Sequence, residues 1–521
     1  MGSEPSPLSS AAKPAVLNPD SFRHYIEAFN RNDRELYAQF IPNSGAWEFI
    51  KANAPLLDCP DKQIEETYYF RWWTFRKHIK ETPDGYIITE FLPAVGWAGK
   101  YNSISCAAGH HFREGRWLRN PRYLEDYSIF WFRKGGSPRT YSFWAANSLY
   151  AWFEATGDDR LLKMLLPDLI ANYEAWEKDR RDSNGLFWQV DGQDGMEVSI
   201  SGTLHPAGEG YRATINSYLY GDAKAIAEIA QHFGQMDVAK KFQAKAAEIK
   251  RLVDVKLWDA EARFYKVLPR GENAKLSNAR ELHGYTPWYF CLPDADKSGA
   301  WKKLMDTNGF YAPFGPATAE RRHPKFTISY TGHECQWNGP SWPYSTAITL
   351  TAMGNLLNDY DQHIVSGEDY FRILKVYTAS HRLVLPDGRT VPWIDENLNP
   401  LTGDWISRTR LKTWSNGTWD AGKGGEERGK DYNHSTYCDL VITGLIGLRP
   451  RQDDIVQINP LVPGDWPYFC LDQIPYHGHL LSIVWDATGE HYRKGKGMRV
   501  LADGQVVASS LSRTRLQGKL N

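Results

Sequence analysis

Several stretches of the chain carry apolar residues at positions i, i+3, i+4 and i+7, a spacing that places them on one face of an α-helix. Some connections between these stretches are tight turns, such as FEATGDDR and AQHFGQMD. Others are long and rich in aromatic and polar residues, at 183–211, 308–341 and 383–433. Since short turns join antiparallel helices and long loops carry function, we expect a toroid of helical hairpins with a site on one rim. The predicted helices include Tyr141–Glu154, Asp159–Asp179, Arg212–Phe233, Val238–Lys256, Trp342–Leu357, Ser366–His381 and His434–Leu448.

The composition and the hydrophobic periodicity of the sequence change near both ends of the chain. Residues 1–20 are rich in Pro, Ser and Ala and are predicted to form a disordered N-terminal segment. Residues 21–450 are predicted to form a helical catalytic domain, with a loop and short-strand insertion at 83–110. From 451 to 521 the pattern alternates around Pro and Gly turns, and LADGQVV has the signature of a hairpin. A small β-rich C-terminal domain is therefore expected.

Charge and cysteine usage exclude several classes of partner. The net charge is −1, and a nucleic-acid partner would require a basic face or stripe. No apolar run approaches the ~20 residues of a membrane-spanning helix. The six cysteines are widely spaced and contain no CxxC pair, so no metal and no other cofactor is predicted. The protein is expected to be a monomer or small homo-oligomer without nucleic-acid or membrane partners.

The aromatic content indicates what the site binds. The chain has 21 Trp, 28 Tyr and 22 Phe. These rings could simply form a large core. Flat aromatic surfaces also stack against the apolar faces of sugar rings, and this second interpretation predicts a cleft for a carbohydrate substrate.

The segment WQVDGQDGMEVSISG, residues 188–202, places three carboxylates on one long loop. No phosphate loop, HExxH or GxSxG motif is present, so carboxylates are the remaining candidates for chemistry. The loop could be a solvated acidic turn, but its aromatic and small neighbours suit the wall of a pocket. The candidate residues are Glu197 and Asp194 for catalysis, and Asp191, Trp188 and Gln193 for substrate binding.

The segment PWIDENLNPLTGDW, residues 392–405, places Asp395 and Glu396 between tryptophans. It could be an Asx-rich turn with Glu396 solvated. A carboxyl held against apolar rings instead has a raised pKa, which suits acid–base work. In a toroid this loop could face the 188–202 loop across one cleft, as the two-carboxyl chemistry of glycosidic cleavage requires. Trp393 and Asp395 are predicted to wall the pocket and orient Glu396.

Other clusters contain candidate substrate-binding residues. HECQWNGPSWPYST could be an aromatic shelf for a sugar or plain helix packing, and it supplies Trp337, Asn338 and Trp342. The Gly- and charge-rich tract at 422–430 is predicted to be a mobile lid or rim loop, and Tyr432 and His434 follow it at the start of the last predicted helix.

The segment AGHHFREGRW contains adjacent histidines, His110 and His111, followed by Arg116 and Trp117. Side chains at i and i+1 diverge in regular structure, which argues against a metal site. Substrate hydrogen bonding and structural ion pairing both remain open for this cluster.

Four motifs, in order along residues 140–480, resemble those of the (α/α)6 glycosidases related to trehalases, processing α-glucosidases and mannosylglycerate hydrolases. WNGPSWPYST is similar to their W-R-G-P-hydrophobic-W motif, and DENLNPLTG to the E-N-Y-N-P-x-T-G motif of the general base. DGQDGMEVS is similar to the E-S-G-W-D-x-S motif of the general acid. YNHSTYCDLVITGLIGLRP, followed by INPLVP, looks like the closing helix and C-terminal β segment.

This resemblance implies a mainly α (α/α)6 toroid with a small C-terminal β domain and an exo-acting, inverting glycoside hydrolase. Glu396 would be the general base and Glu197 the general acid. Two departures matter. The acid position carries Glu where the group usually has Asp, so Asp194 or Asp191 is an alternative acid, and Asn338 replaces the arginine of W-R-G-P.

Two other functions remain open at this point. A polysaccharide lyase acting on a uronate-containing glycan would use Tyr432 and His434, with a basic cluster at Arg113, Arg116 and Arg119. A non-catalytic carbohydrate-binding protein would not need carboxylates on opposing loops. Asn-X-Ser/Thr sequons at Asn416 and Asn433 favour a secreted or periplasmic protein over a cytoplasmic one.

Overall fold

The structure is a computed structural model that describes residues 15–204, 208–413 and 419–520. It is mainly α-helical, as the periodicity predicts. The helices are, in chain order, α1 (Arg23–Asn32), α2 (Ala46–Asn53), α3 (Lys62–His78), α4 (Ala108–Gly115), α5 (Arg122–Arg133), α6 (Ala145–Thr156), α7 (Arg160–Arg180), α8 (Ala213–His232), α9 (Met236–Lys256), α10 (Thr286–Tyr289), α11 (Pro343–Asp359), α12 (Gly367–Ser380), α13 (Ile406–Thr413) and α14 (Cys438–Leu440, continued by a π-helical turn, Val441–Leu445).

The helices form two concentric rings. In the inner ring α4 packs on α6, α6 on α8, α8 on α10, α10 on α11, α11 on α14, and α14 back on α4. An outer helix backs most of these: α5 on α4, α7 on α6, α9 on α8, α12 on α11 and α3 on α14. The 3-10 segment Ala295–Lys303 backs α10 through Trp301, whose ring meets that of Trp288 edge to face at a centroid distance of 5.7 Å. The fold is therefore the (α/α)6 toroid that the resemblance implies.

Glycines allow the inner helices to approach closely. A β-carbon on Gly109 of α4 would overlap the indole of Trp144, and one on Gly221 of α8 would overlap the ring of Phe290. Because interiors are close-packed, such positions tolerate no larger side chain without a shift of the neighbouring ring.

The last inner helix is shorter than predicted. The sequence pattern covers His434–Leu448, whereas the helical turns run only from Cys438 to Leu445. The buried carboxylate of Glu114 accepts the backbone N–H groups of Tyr437 (3.1 Å), Cys438 (2.9 Å) and Asp439 (2.8 Å). It thereby satisfies the free donors of the helix N-terminus and determines where the helix begins. The residues before Cys438 stay non-helical and reach into the centre of the toroid.

Short strands occur throughout, and the longest lie at the C-terminal end, as predicted for the β-rich region. The strands are β1 (Leu56–Asp58), β2 (Ile79–Thr82), β3 (Gly85–Ile88), β4 (Trp188–Gln189), β5 (Gly210–Tyr211), β6 (Trp258–Asp259), β7 (Phe264–Tyr265), β8 (Leu268–Pro269), β9 (Arg382–Val384), β10 (Thr390–Pro392), β11 (Leu448–Arg449), β12 (Ile455–Ile458), β13 (Tyr468–Tyr476), β14 (His479–Asp486), β15 (Gly497–Ala502), β16 (Gln505–Ser510) and β17 (Leu516–Lys519).

The C-terminal region forms two antiparallel sheets that share strands with the rest of the chain. One has the order β1-β13-β14-β15-β16, and the other β11-β12-β17. The predicted LADGQVV hairpin joins β15 to β16. Because β1 comes from residues 56–58, the β-rich region contains an N-terminal strand and packs directly on the toroid.

The N-terminal boundary also differs from the prediction. Residues 1–14 of the predicted disordered segment lie outside the described residues. Val16 and Leu17, however, donate their backbone N–H groups to the carboxylate of Asp472 in β13, at 2.7 and 2.8 Å. The segment 15–20 is therefore attached to the sheet. Among the described residues, no helix is long and apolar enough to span a bilayer.

Candidate active site

A cavity of about 170 Å³ opens at the N-terminal ends of the inner helices. Its walls come from the loops that precede α4, α6, α8, α11 and α14, together with the loops after β3 and β10. Four carboxyls, two cations and many rings face it. The charged residues are Glu90, Glu197, Glu334, Glu396, Lys423 and Arg428; the rings are Phe91, Trp97, Tyr141, His333, Trp337, Trp342, Tyr344, Tyr432 and His434; Ile104, Cys106, Gly195 and Cys335 complete it.

Glu197 and Glu396 both line this cavity although they are about 200 residues apart in sequence. The segment 334–337 lies between their two loops. On one side Val198 and Gln336 form a parallel bridge. On the other side the Asn397 amide donates to the Glu334 carbonyl at 2.9 Å. The long loops therefore meet as the sequence predicts.

The Glu197 side chain is half-buried in the cavity wall. Burial raises its pKa to about 8, the negative charge of Glu396 adds to the shift, and the Trp337 indole opposes it. Desolvation disfavours the charged form of a carboxyl, so this group keeps its proton at neutral pH. Such a group can donate a proton to a departing oxygen.

The Glu396 carboxylate has a cation beside it. The guanidinium of Arg428, itself buried, donates to one oxygen of Glu396 and also contacts Glu334 at 3.3 Å. The Cys335 thiol lies 3.4 Å from the other Glu396 oxygen. A carboxylate held in this way keeps a fixed orientation in the cavity wall.

Asp395 supports Glu396 rather than lining the cavity. One of its oxygens accepts the Glu396 backbone N–H at 2.8 Å and the Ser407 hydroxyl at 3.1 Å. Burial, together with the neighbouring Glu396 charge, raises the pKa of Asp395 to about 7. Asp395 thus contacts the backbone of Glu396, and its orienting role stays a prediction.

The alternative acids, Asp191 and Asp194, do not line the cavity. Asp191 forms a buried ion pair with Arg212 and accepts the Ser199 hydroxyl at 2.8 Å. Asp194 is buried and accepts the hydroxyl of Thr214. Both oxygens of Asp191 are occupied by protein donors, so the structure gives it a supporting position where the sequence suggested substrate contact.

We expect Asp191→Ala to lower the free energy of unfolding by about 3–5 kcal/mol, because it leaves the Arg212 charge buried without a partner. The matched control is Glu174→Ala, which breaks an exposed pair with Lys241 and is expected to cost at most ~1 kcal/mol. Urea unfolding followed by circular dichroism measures both. Equal losses in the two variants would contradict the supporting role of Asp191.

The predicted aromatic shelf is present. Trp337 and Trp342 stack with ring centroids 4.3 Å apart at an interplanar angle of 11°, and both face the cavity. The Trp342 indole N–H donates to the Gln336 carbonyl at 2.7 Å, which fixes the orientation of that ring. His434 and Tyr432 also line the cavity, with ring centroids 3.8 Å apart. Asn338, by contrast, is not among the lining residues, and its backbone carbonyl accepts from Thr327 at 3.1 Å.

Trp188, Gln193 and Trp393 do not reach the cavity and contact cations elsewhere. The ring of Trp188 lies between the guanidinium groups of Arg180 (4.3 Å) and Arg270 (4.0 Å). The Gln193 side-chain oxygen accepts from Arg180 at 2.8 Å. Trp393 is buried and packs beneath the charged groups of Arg408 and Lys430, at 5.2 and 5.6 Å. The structure therefore places these three side chains outside the set that lines the cavity, and substrate contact by them stays a prediction.

The predicted cluster of His110, His111, Arg116 and Trp117 contacts other parts of the protein and has a structural role. His111 contacts the Tyr127 hydroxyl at 3.0 Å and the Asn433 carbonyl at 2.7 Å. Arg116 and Trp117 both donate to Asp439, at 2.8 and 2.7 Å.

His110 is buried behind a ring of the cavity wall, with its centroid 4.6 Å from that of Tyr344. None of the four predicted residues of this cluster lines the cavity, so substrate binding by them is not supported. The sequon at Asn433 is buried too, and its amide donates to the Thr89 carbonyl at 3.2 Å. The sequon at Asn416 lies outside the described residues.

Sequence reasoning missed Glu90, Glu334, Lys423 and Arg428. The tract at 422–430 is predicted from the sequence to be a mobile lid or a rim loop. In the structure it is a loop at the rim of the cavity, and ion pairs anchor it. Glu427 pairs with Arg408 at 2.6 Å, and Lys430 pairs with buried Asp33. The Gly-rich composition suggested mobility. It gave no sign of the ion-pair partners, because these come from distant parts of the chain.

Comparison with known proteins identifies the domain. Residues 100–435 match the family model of the mannosylglycerate hydrolase MGH1-like glycoside hydrolase domain, which covers more than half of the chain. The chain belongs to the MGH1-like glycoside hydrolase family. Residues 448–508 of this family member also match the C-terminal domain of glycosyl hydrolase family 65. The expected fold class and the expected class of enzyme, an O-glycosyl hydrolase domain, are thereby confirmed.

Solved structures agree with this fold. A protein named sialidase is 42% identical with a TM-score of 0.89, and the match covers 98% of this glycoside hydrolase chain and 46% of that one. The chain thus spans less than half of that relative. A GH78 rhamnosidase of Bacillus sp. GL1 is 11% identical over 83% of this chain and 40% of its own, with a TM-score of 0.52. An uncharacterised conserved protein from Thermus thermophilus is 13% identical over 72% of this chain and 98% of its own, with a TM-score of 0.51.

Proposed function

We propose that this protein is an exo-acting, inverting glycoside hydrolase in which Glu197 is the general acid and Glu396 the general base. One observation carries the proposal: two carboxyls in opposite environments line the same cavity. The pKa of Glu197 is raised to about 8, so it retains its proton at neutral pH, whereas Glu396 is paired with the guanidinium of Arg428. Titratable pairs whose environments separate their charge states mark acid and base roles.

The arrangement of the loops is the basis for proposing inversion. The loops of Glu197 and Glu396 both contact the segment 334–337, one through the bridge between Val198 and Gln336 and the other through the bond from the Asn397 side-chain amide to the Glu334 carbonyl. A segment of protein between the two loops favours the wider carboxyl spacing of an inverting enzyme. Inverting enzymes hold their two carboxyls about 6.5–9.5 Å apart to admit a water, whereas retaining enzymes need about 5 Å.

The size of the cavity supports exo action. At about 170 Å³ it is smaller than the ~300–1,000 Å³ typical of drug-sized sites. Trp97 and Arg428 close one side, with the guanidinium 5.2 Å from the indole centroid. A terminal sugar residue suits a pocket of this size better than an internal unit of a chain.

The charges favour a neutral sugar. Four carboxyls face the cavity, and its two cations, Lys423 and Arg428, already contact Glu334 at 3.1 and 3.3 Å. An anionic sugar would need cations that are not committed to carboxylates. More than half of the relative named sialidase lies outside the match, so its name does not identify the substrate of this cavity.

The same charges argue against the lyase alternative. A lyase needs a cation to neutralise a uronate, together with an available Tyr/His pair. The Tyr432 hydroxyl already donates to Glu90. Arg113 and Arg116 line a different cavity, at the C-terminal ends of the inner helices, and Arg119 donates to the backbone carbonyl of Lys51 at 2.8 Å.

Proton NMR of the first sugar released tests the function. We expect hydrolysis of one or more neutral 4-nitrophenyl glycosides, drawn from hexoses, pentoses and 6-deoxyhexoses, with release of the anomer opposite to that of the substrate. Release of the same anomer would contradict inversion. Sugar binding without hydrolysis of any glycoside would favour the carbohydrate-binding protein, and products absorbing near ~235 nm would indicate a lyase.

A further inference from the structure

Glu90 is a buried carboxyl of the cavity wall that the acid–base pair does not include. It lies two residues beyond β3, where its backbone carbonyl accepts the Asn433 N–H at 3.2 Å. One carboxyl oxygen accepts the Tyr432 hydroxyl. The other oxygen, Oε2, is buried and has no hydrogen-bond partner among the described residues. A buried carboxyl oxygen without a partner is costly, so a group that enters the cavity is expected to satisfy it.

His434, on the same side of the cavity as Glu90, also has buried polar atoms that need hydrogen-bond partners. Both nitrogens of its ring are buried, and neither has a hydrogen-bond partner in the part of the chain that the structure describes. Burial lowers the pKa of His434 well below its usual range, so the ring is neutral and offers one donor and one acceptor. The ring centroid lies 3.8 Å from that of Tyr432, the residue that holds Glu90. Glu90, Tyr432 and His434 are therefore contiguous along one side of the cavity.

We propose that Glu90 is a substrate-binding residue that, together with His434, clamps one hydroxyl group of the sugar in the cavity. One of the two side chains accepts the hydroxyl hydrogen and the other donates to its oxygen. A sugar hydroxyl is a donor and an acceptor at once, so a site offering both partners reads its presence and position. Sites built to hydrogen-bond a hydroxyl discriminate strongly against analogues that lack it, since their buried polar groups are then unpaired. This inference rests on the proposed function of the same cavity.

The positions of the carboxyls separate this role from that of the acid. The Glu197 loop is hydrogen-bonded to the segment 334–337, where the Trp337 N–H donates to the Val198 carbonyl at 2.9 Å. That segment also carries Cys335, which contacts Glu396. Glu90 has no such connection and is held by Tyr432. It therefore determines which sugar is bound, while Glu197 and Glu396 cleave the bond.

The first test measures binding without turnover. In the Glu396→Gln background, calorimetry with neutral hexoses, pentoses and 6-deoxyhexoses identifies the monosaccharide that binds best. We expect Glu90→Ala to weaken that binding roughly 10- to 100-fold, the range for a lost hydrogen bond to a charged or buried group. Glu81→Gln, an exposed carboxyl on β2, is the matched control and is expected to change nothing. An affinity of Glu90→Ala within twofold of its parent would overturn the clamp.

The second test uses turnover and separates binding from proton donation. For the glycoside that the wild type prefers, Glu90→Ala is expected to lower kcat/KM by the same factor with a 4-nitrophenyl and with a methyl leaving group. We also expect one of the 2-, 3- and 4-deoxy analogues to be penalised in the wild type and no longer penalised in Glu90→Ala. A loss confined to the methyl glycoside would make Glu90 an acid and overturn the proposal.

Failure of the proposed function has a different signature. If the wild type binds a monosaccharide but hydrolyses no glycoside, the acid–base assignment fails while the calorimetric effect of Glu90→Ala still decides the clamp. If hydrolysis occurs and Glu90→Ala behaves as the wild type does, only the clamp fails. Tyr432→Phe adds an internal check, because removing the hydroxyl that holds Glu90 is expected to give a smaller loss that is not additive with that of Glu90→Ala.

Discussion

Replacement of Glu396 by glutamine is expected to lower kcat by about 10²–10⁴-fold, the usual contribution of a positioned general base. Glutamine has the shape of glutamate but cannot accept a proton from the attacking water. Arg428 keeps its second contact, to Glu334 at 3.3 Å, so its charge is not left unpaired. The fold is therefore expected to survive, and the loss should appear in kcat with every glycoside that the protein hydrolyses.

Steady-state kinetics and thermal unfolding of the same preparations measure the two parts of this prediction. Glu368→Gln, an exposed carboxyl in the first turn of α12, is the control and should retain full activity. Wild-type turnover by Glu396→Gln would remove Glu396 from the mechanism. A large fall in the unfolding temperature would mean that the residue acts through stability instead.

Replacement of Glu197 by glutamine is expected to lower kcat/KM by about 10²–10⁴-fold for methyl glycosides. The loss should be much smaller for 4-nitrophenyl glycosides, because a good leaving group departs without a proton. This dependence on the leaving group distinguishes an acid from a base, since loss of Glu396 slows both substrates alike. Asp194→Asn, which changes a carboxyl outside the cavity, is the matched control for the alternative acid.

The pH dependence has a definite sign. Burial raises the pKa of Glu197 from its ordinary value to about 8, so the proton is present below that pH and lost above it. Activity with methyl glycosides should therefore fall as the pH rises through about 8. Burial also raises the pKa of Glu90 to about 8, so Glu90→Gln serves as the test of assignment. The fall in activity at alkaline pH should remain in Glu90→Gln. If that fall disappeared, the titrating group would be Glu90 and not Glu197.

Much of the fold could be predicted from the sequence because helical periodicity is a local property. The helices predicted at 159–179, 212–233 and 342–357 lie within a few residues of α7, α8 and α11. The alternation of short and long connections predicted a functional rim, and the cavity lies there. The exception was the last helix. Its start depends on Glu114, a residue more than 300 positions away along the chain.

The candidate site was predictable only in part. Glu197 and Glu396 stood out because turn formers and rings surround them, and both line the cavity. Asp191 has similar neighbours in sequence, yet its carboxylate forms an ion pair with Arg212. Glu90 follows an ordinary short strand and has no local signal, because its burial comes from residues around 432.

The sequence by itself therefore determined the helices, the C-terminal strands and the two loops on which acid–base carboxylates could lie. Only the tertiary structure decided which carboxyls face the cavity and in which charge state. Closure of the inner ring brings together loops that are hundreds of residues apart, and it gives each carboxyl its own surroundings: burial for one and an ion pair for another. The position of Arg428 beside Glu396 and the raised pKa of Glu197 are products of that closure.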